Sequence, residues 1–156
     1  MRIKLLFVLS AGLVIGADDP KETAAKKELE KIQGNWTVAS AELDGKPDPV
    51  RMSAKITYSG DTFTRSNAGQ TVHGKIKIDP TAKPKIMDAT FTDGPDKDKS
   101  LEGIYSLEGD KLKICASPPG KKRPAEFSSK NGQLLLVLQK EKPKPPPAPV
   151  FSDKNL

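Results

Sequence analysis

Gly34-Asn35-Trp36 stands between a short run with helical periodicity and about eight short runs with strand periodicity. That order constrains the fold more than any other feature. The strand runs are separated by turn residues at hairpin length, which implies antiparallel, up-and-down order. An open sheet of that size exposes two unpaired edges, and closure into a barrel removes them. The sequence therefore predicts an all-β protein: an antiparallel up-and-down barrel of about eight strands over residues 34–140. A short N-terminal α-helix within a helical segment, residues 18–33, packs on it.

The helix is read over residues 21 to 33. Ala25, Leu29 and Ile32 recur at helical spacing among Lys26, Lys27, Glu28, Glu30 and Lys31, and Gly34 stops the run. Its apolar stripe is narrow, so it must lie on something. The strands run from Trp36 to Leu43, Ala54 to Tyr58, Thr62 to Ser66, Thr71 to Ile78, Lys85 to Thr92, Ser100 to Leu107, Lys111 to Ala116 and Gln133 to Lys140. Asp44-Gly45, Ser59-Gly60, Ala68-Gly69, Asp93-Gly94, Gly109-Asp110 and Asn131-Gly132 turn the chain between them, and Pro47 and Pro49 mark a loop.

Alternation assigns the faces. Val72, Ile76 and Ile78 share one face of their strand, and His73, Lys75 and Lys77 share the other. Met87, Ala89 and Phe91 align, as do Leu101, Tyr105 and Leu107 with Gly103, and Leu112 with Ile114. One-sided patterning suits a sheet curled around one interior with water outside. Leu134 to Leu138 is apolar on both faces. Leu134, Leu136 and Leu138 are expected inside, with Leu135 and Val137 outside under Leu29 and Ile32 of the helix.

Both ends differ from this core. Met1-Arg2-Ile3-Lys4 is followed by an apolar run from Leu5 to Ile15 and then Gly16-Ala17. The run is about half the ~20 residues a membrane span needs, so residues 1–17 read as a signal peptide cleaved near Ala17. An uncleaved anchor is the alternative. No transmembrane span is expected after cleavage, and the location is periplasmic or extracellular. Residues 141–156 are rich in Pro and Lys. They read as a solvated, disordered tail, dispensable for folding, with a spacer or docking peptide as the alternative.

Export makes the cysteine count informative. Cys115 alone cannot form an internal disulfide, so packing must hold the fold. The formal charge is +6, from 26 basic and 20 acidic residues, and loss of Arg2 and Lys4 leaves 24 against 20. These charges are dispersed, which marks a solvated surface and argues against nucleic acid as a partner.

The chemistry-bearing residues are few. A nucleophilic site would have to use His73, the single histidine, and nothing in the spacing joins it to Cys115. Zinc needs more Cys and His than the chain has. Asp93, Asp96 and Asp98 fail the spacing of a calcium loop. No phosphate cradle is present, so no cofactor or metal is expected, and the reading is not an enzyme. Arg123 and Glu126 flank Pro124 before the last strand. Their structural role is to fix that loop by hydrogen bonds or an ion pair. Their functional alternative places Arg123 against an anionic ligand at a barrel opening.

Several motifs in order carry a resemblance. Ile32-Gln33-Gly34-Asn35-Trp36 is followed by Asp44-Gly45-Lys46, Lys83-Pro84-Lys85 with Asp88, and Gly103-Ile104-Tyr105-Ser106-Leu107. Gly109-Asp110-Lys111-Leu112-Lys113-Ile114-Cys115, Arg123-Pro124-Ala125-Glu126-Phe127 and the Leu134 to Leu138 strand complete the set. Over residues 25 to 140 the chain resembles a lipocalin-like domain family abundant in Planctomycetes and largely uncharacterised. The resemblance implies a lipocalin-like fold and an exported protein, and no established activity. Gly-x-Trp also resembles the start of true lipocalins, where the Trp packs across the barrel floor beneath an Arg of the last strand. Here the last strand ends in Lys140.

An eight-stranded barrel is just wide enough to be filled by side chains or to hold one small ligand. Two roles follow for a monomeric, exported, non-enzymatic module. One is binding of a small apolar ligand in the interior, or of a partner at the loops. The other is a structural or interaction role in the cell envelope with a filled barrel. For the first, the candidate ligand-binding residues are Trp36, Tyr58, Met87, Phe91, Tyr105 and Arg123. A connected apolar cavity of roughly 300 Å³ or more would favour it.

Overall fold

The computed structural model describes residues 19–143. The signal peptide expected over 1–17 and all but the first three residues of the tail, 141–156, lie outside the described residues. The elements run α1 (Pro20–Ile32), β1 (Gly34–Leu43), β2 (Lys46–Pro47), α2 (Pro49–Met52), β3 (Lys55–Ser59), β4 (Thr62–Asn67) and β5 (Gln70–Asp79). They continue with β6 (Lys85–Phe91), β7 (Ser100–Glu108), β8 (Lys111–Ala116) and β9 (Leu134–Lys140).

Eight strands close an antiparallel barrel. Neighbours pair in the order β1-β3-β4-β5-β6-β7-β8-β9, and β9 pairs back onto β1 from Trp36↔Lys140 to Leu43↔Leu134. The two-residue β2 only folds back on the end of β1, a pairing the Pro47 and Pro49 reading leaves as loop. A bulge at Ala39, between Val38 and Ser40, lets β1 bend from one neighbour to the other. The inward rows are apolar: Val38, Ala41, Ile56, Tyr58, Phe63, Val72, Ile76, Ile78, Met87, Phe91, Tyr105, Leu112 and Leu138 are all buried in one cluster.

α1 begins one residue earlier than its periodicity suggests, because the Asp19 side chain accepts from the Lys21 N–H and Pro20 takes the first helical position. Its apolar stripe does not cover β9. Ile32 is fully buried in the barrel cluster, Ala25 and Leu29 pack against it, and the helix contacts β5. The helix therefore shuts one end of the barrel, the floor. This corrects the expectation that Leu29 and Ile32 shield Leu135 and Val137.

The segment between β8 and β9 takes over the cover. Ile86, Ile104, Cys115 and Leu135 form one cross-strand row on the outer face. Ile104 and Cys115 are nonetheless 1% and 0% exposed. The β8–β9 loop lies back across this row and is fastened at several points. Cys115 Sγ donates to the Ser128 carbonyl at 3.0 Å, and Ser129 Oγ donates to Glu42 Oε2 at 2.7 Å. Arg123 Nη1 donates to the Gly103 carbonyl at 2.7 Å. The packing that a lone cysteine leaves to the chain thus includes a second, smaller apolar layer outside the barrel.

Candidate functional site

The two barrel ends differ in chemistry. At the floor, Gly34 adopts φ +110°, a left-handed conformation that turns α1 sharply into β1. Trp36 is fully buried there, and its Nε1–H donates to the Ile32 carbonyl at 2.7 Å. Lys140 Nζ lies 5.4 Å from the Trp36 ring and donates to the Lys31 carbonyl at 2.9 Å. Gln33 Nε2 donates to the Leu29 carbonyl at 2.8 Å. Two carbonyls left open by the helix end, those of Lys31 and Ile32, are thereby satisfied, with a cation at the negative end of its dipole. Lys140, the end of the last strand, thus covers the Trp36 ring at the floor.

Tyr105, 1% exposed, belongs to this sealed end as well. Its hydroxyl is 3.5 Å from Glu28 Oε1, which also accepts from Lys85 Nζ at 2.5 Å, while Glu28 Oε2 accepts from Lys31 at 3.3 Å. Burial pushes the Glu28 carboxyl up, but the hydrogen bonds from Lys85 and Lys31 outweigh it and hold it below its ordinary value. Burial first, and the Glu28 charge second, raise the Tyr105 phenol far above its own.

The opposite end is open. Here the β1–β3 connection, the β6–β7 loop and the β8–β9 loop surround a chamber of about 190 Å³ bordered by Leu43, Arg51, Arg65, Asp96, Lys99 and Pro118. Phe91, Leu101, Ala116, Leu134 and Arg65 also border an apolar cleft of about 80 Å³ inside the barrel, with Tyr58, Phe63, Met87 and Leu136 on its other sides. Phe63 and Phe91 meet edge to face at 5.6 Å in its wall. Val50 and Met52 of α2 stand exposed beside this mouth.

Of the six candidate residues, Tyr58, Met87 and Phe91 come together in the cleft, and Trp36 and Tyr105 seal the floor. Arg123 is elsewhere. It forms a forked ion pair with Asp88 on the outer face, with Nη2 3.1 Å from Oδ2, and Glu102 lies 3.8 Å away. The hydrogen bonds of Asp88 raise its pKa further. The placement of Arg123 at a barrel opening is thus corrected, and its partner in fixing the loop is Asp88 rather than Glu126. Its guanidinium is already spoken for by groups of the sheet beneath.

Arg65 is the polar side chain at the mouth that sequence reading passed over. It pairs across the sheet with Ile56 and Val72, both inward and buried, so it too points inward. The signal was present: Phe63 and Arg65 are two apart on β4 and share a face. The Arg65 guanidinium lies 5.4 Å from the Phe91 ring. Burial first, and Arg51 second, lower its pKa, while Asp96 raises it. Asp96 itself is engaged by Lys99 at 3.0 Å, and Arg51 by Asp48.

The remaining polar groups do not assemble a reaction centre. His73 Nδ1 is 2.6 Å from Asp93 Oδ2 on the exposed outer face. Asp93 also accepts from the His73 backbone N–H at 2.6 Å, which holds the β6–β7 loop to β5. Cys115 lies on β8, with β6 and β7 between it and β5, beneath the β8–β9 loop. Among the described residues, no group of His, Cys, Asp or Glu is arranged to hold a metal ion, and no helix is long and apolar enough to cross a membrane.

Comparison with protein-family models, with curated proteins and with solved structures returned no match for this chain.

Proposed function

We propose that the chain is an exported, non-enzymatic β-barrel module of the lipocalin-like family named above. It binds one small, largely apolar ligand as a monomer, at the barrel mouth rather than deep in its interior. The observation that carries this reading is the asymmetry of the ends. Helix, Trp36, Tyr105 and Lys140 close the floor, while the mouth opens through a chamber of about 190 Å³ into an apolar cleft of about 80 Å³. Neither space alone reaches the ~300 Å³ of an ordinary ligand pocket, so the ligand is small. The charged start, short apolar run and small residues before Asp18 support export.

A second reading, an envelope interaction module with a filled barrel, is favoured by that same small interior. Native mass spectrometry of the protein taken from its own host separates the two. The first reading expects a mass increment that dissociates on activation and belongs to a small apolar compound. A bare chain, or one carrying a protein partner, supports the second. N-terminal sequencing of the same material tests export: a chain still beginning at Met1 and fractionating with the cytoplasm would overturn it.

A further inference from the structure

We infer that the ligand of the mouth is a short-chain carboxylate, with its head on Arg65 and its acyl chain in the cleft between Phe63, Phe91 and Met87. The inference rests on the mouth-binding reading and specifies its ligand. Two polar groups border the cleft, the Arg65 guanidinium and the Tyr58 hydroxyl, and Arg65 makes no salt bridge among the described residues. Tyr58 is only 5% exposed. The pairings Ile56↔Arg65 and Tyr58↔Phe63 make Arg65 and Tyr58 diagonal neighbours on β3 and β4. Such positions lie about 7–8 Å apart, within reach of long and aromatic side chains.

The contrast with the other arginines is chemical. Arg51 and Arg123 each hold a carboxylate of this chain, Asp48 and Asp88. Among the described arginines, Arg65 is the one that borders the apolar cleft and makes no salt bridge. A carboxylate matches its fork of donors with two parallel hydrogen bonds. A neutral apolar ligand seated over Arg65 would strip its water and return nothing. A cationic ligand would meet the charge of Arg65, since the acids nearby, Asp96 and Asp48, are already engaged by Lys99 and Arg51. Size limits the rest of the molecule. An apolar cavity of about 150 Å³ accepts a benzene, so this cleft and its vestibule suit an acyl chain of about four to six carbons.

The test is titration of the full chain with hexanoate, hexanol and hexylamine, followed by calorimetry and by the amide resonances of β3, β4 and β6. Hexanoate is expected to bind, about tenfold or more tighter than hexanol, the range for one charge-assisted hydrogen bond. Hexylamine is expected not to bind. Arg65→Gln should erase the preference for hexanoate over hexanol while hexanol binding holds within about twofold. Arg65→Lys, which keeps the charge and loses the fork, should fall between. Tyr58→Phe should weaken hexanoate more than hexanol. The comparison of three ligands on the native chain needs no variant to fold. Equal binding of hexanoate and hexanol would overturn the carboxylate inference and leave the mouth-binding reading standing. Binding of none of the three would overturn both.

Discussion

Gly74 is where one atom decides the packing of the cleft wall. A Cβ there would lie 2.5 Å from the Thr90 carbonyl oxygen and against the Phe63 ring. The carbonyl belongs to the paired backbone and cannot swing aside. Gly74→Ala should therefore cost about 1–3 kcal/mol, the range for overpacking. It should lower the denaturation midpoint at unchanged slope. Trp36→Ala at the floor should cost about 3–5 kcal/mol; a midpoint that barely moves would contradict its burial. Trp36 was legible in the sequence because a lone Trp after a helix-stopping Gly has few other uses. Arg65 was not, because an arginine in a strand reads as a solvated face until its neighbours are placed inward. Arg123 stood out for its motif, and the motif serves the loop.

The elements show what a local pattern can and cannot assign. The two-faced run from Leu134 to Leu138 signalled that something covers β9. It did not say what, since two segments could: the stripe of α1 and the loop before β9. The barrel end also needs a cover, and the helix supplies it with Ile32 in the core and Ala25 and Leu29 packed against it. Two consequences can be measured. Arg123→Ala removes the clasp on Asp88 and Gly103. Cys115, whose thiol burial raises above its ordinary pKa, should then react with a thiol reagent several-fold faster while the barrel stays folded. At the other end, Lys21 holds Asp79 at 2.7 Å. Its hydrogen bond, with that of Thr81, pulls the Asp79 carboxyl from 3.8 down to about 2. A carboxyl depressed on folding stabilises the protein above its unfolded pKa and stops doing so as pH falls through the folded one. The tie between α1 and β5 should persist at pH 4 and fail near pH 2. The Asp79 carboxyl resonance should titrate there, and move back toward 4 in Lys21→Ala.

Across the whole molecule, closure makes the strands interdependent. β1 pairs with β9 along its length while its first residues also pair with β3, so first and last strands share one seam. The helix, Trp36 and Lys140 bolt that seam at the floor, and the β8–β9 loop is tied to the β1–β2 turn at the mouth, where the Gly45 N–H donates to the Ser129 carbonyl at 2.7 Å. The count of strands and their hairpin order were legible in the turns, and closure followed from the edges a large sheet cannot leave open. Cleft size was not legible, because it depends on which of several medium side chains meet across the interior. Nothing in this arrangement gives one half of the barrel a core of its own, so equilibrium unfolding should be a single transition. Trp36 emission, which reports the floor, and far-ultraviolet circular dichroism, which reports the strands, should give superimposable denaturant curves. Leu138 is fully buried on the seam strand, opposite Val38 and Leu112. Leu138→Ala should shift both curves together by about 2–5 kcal/mol. If the fluorescence curve moved alone, the floor would be a separately melting unit, and the seam would not be what holds the barrel closed.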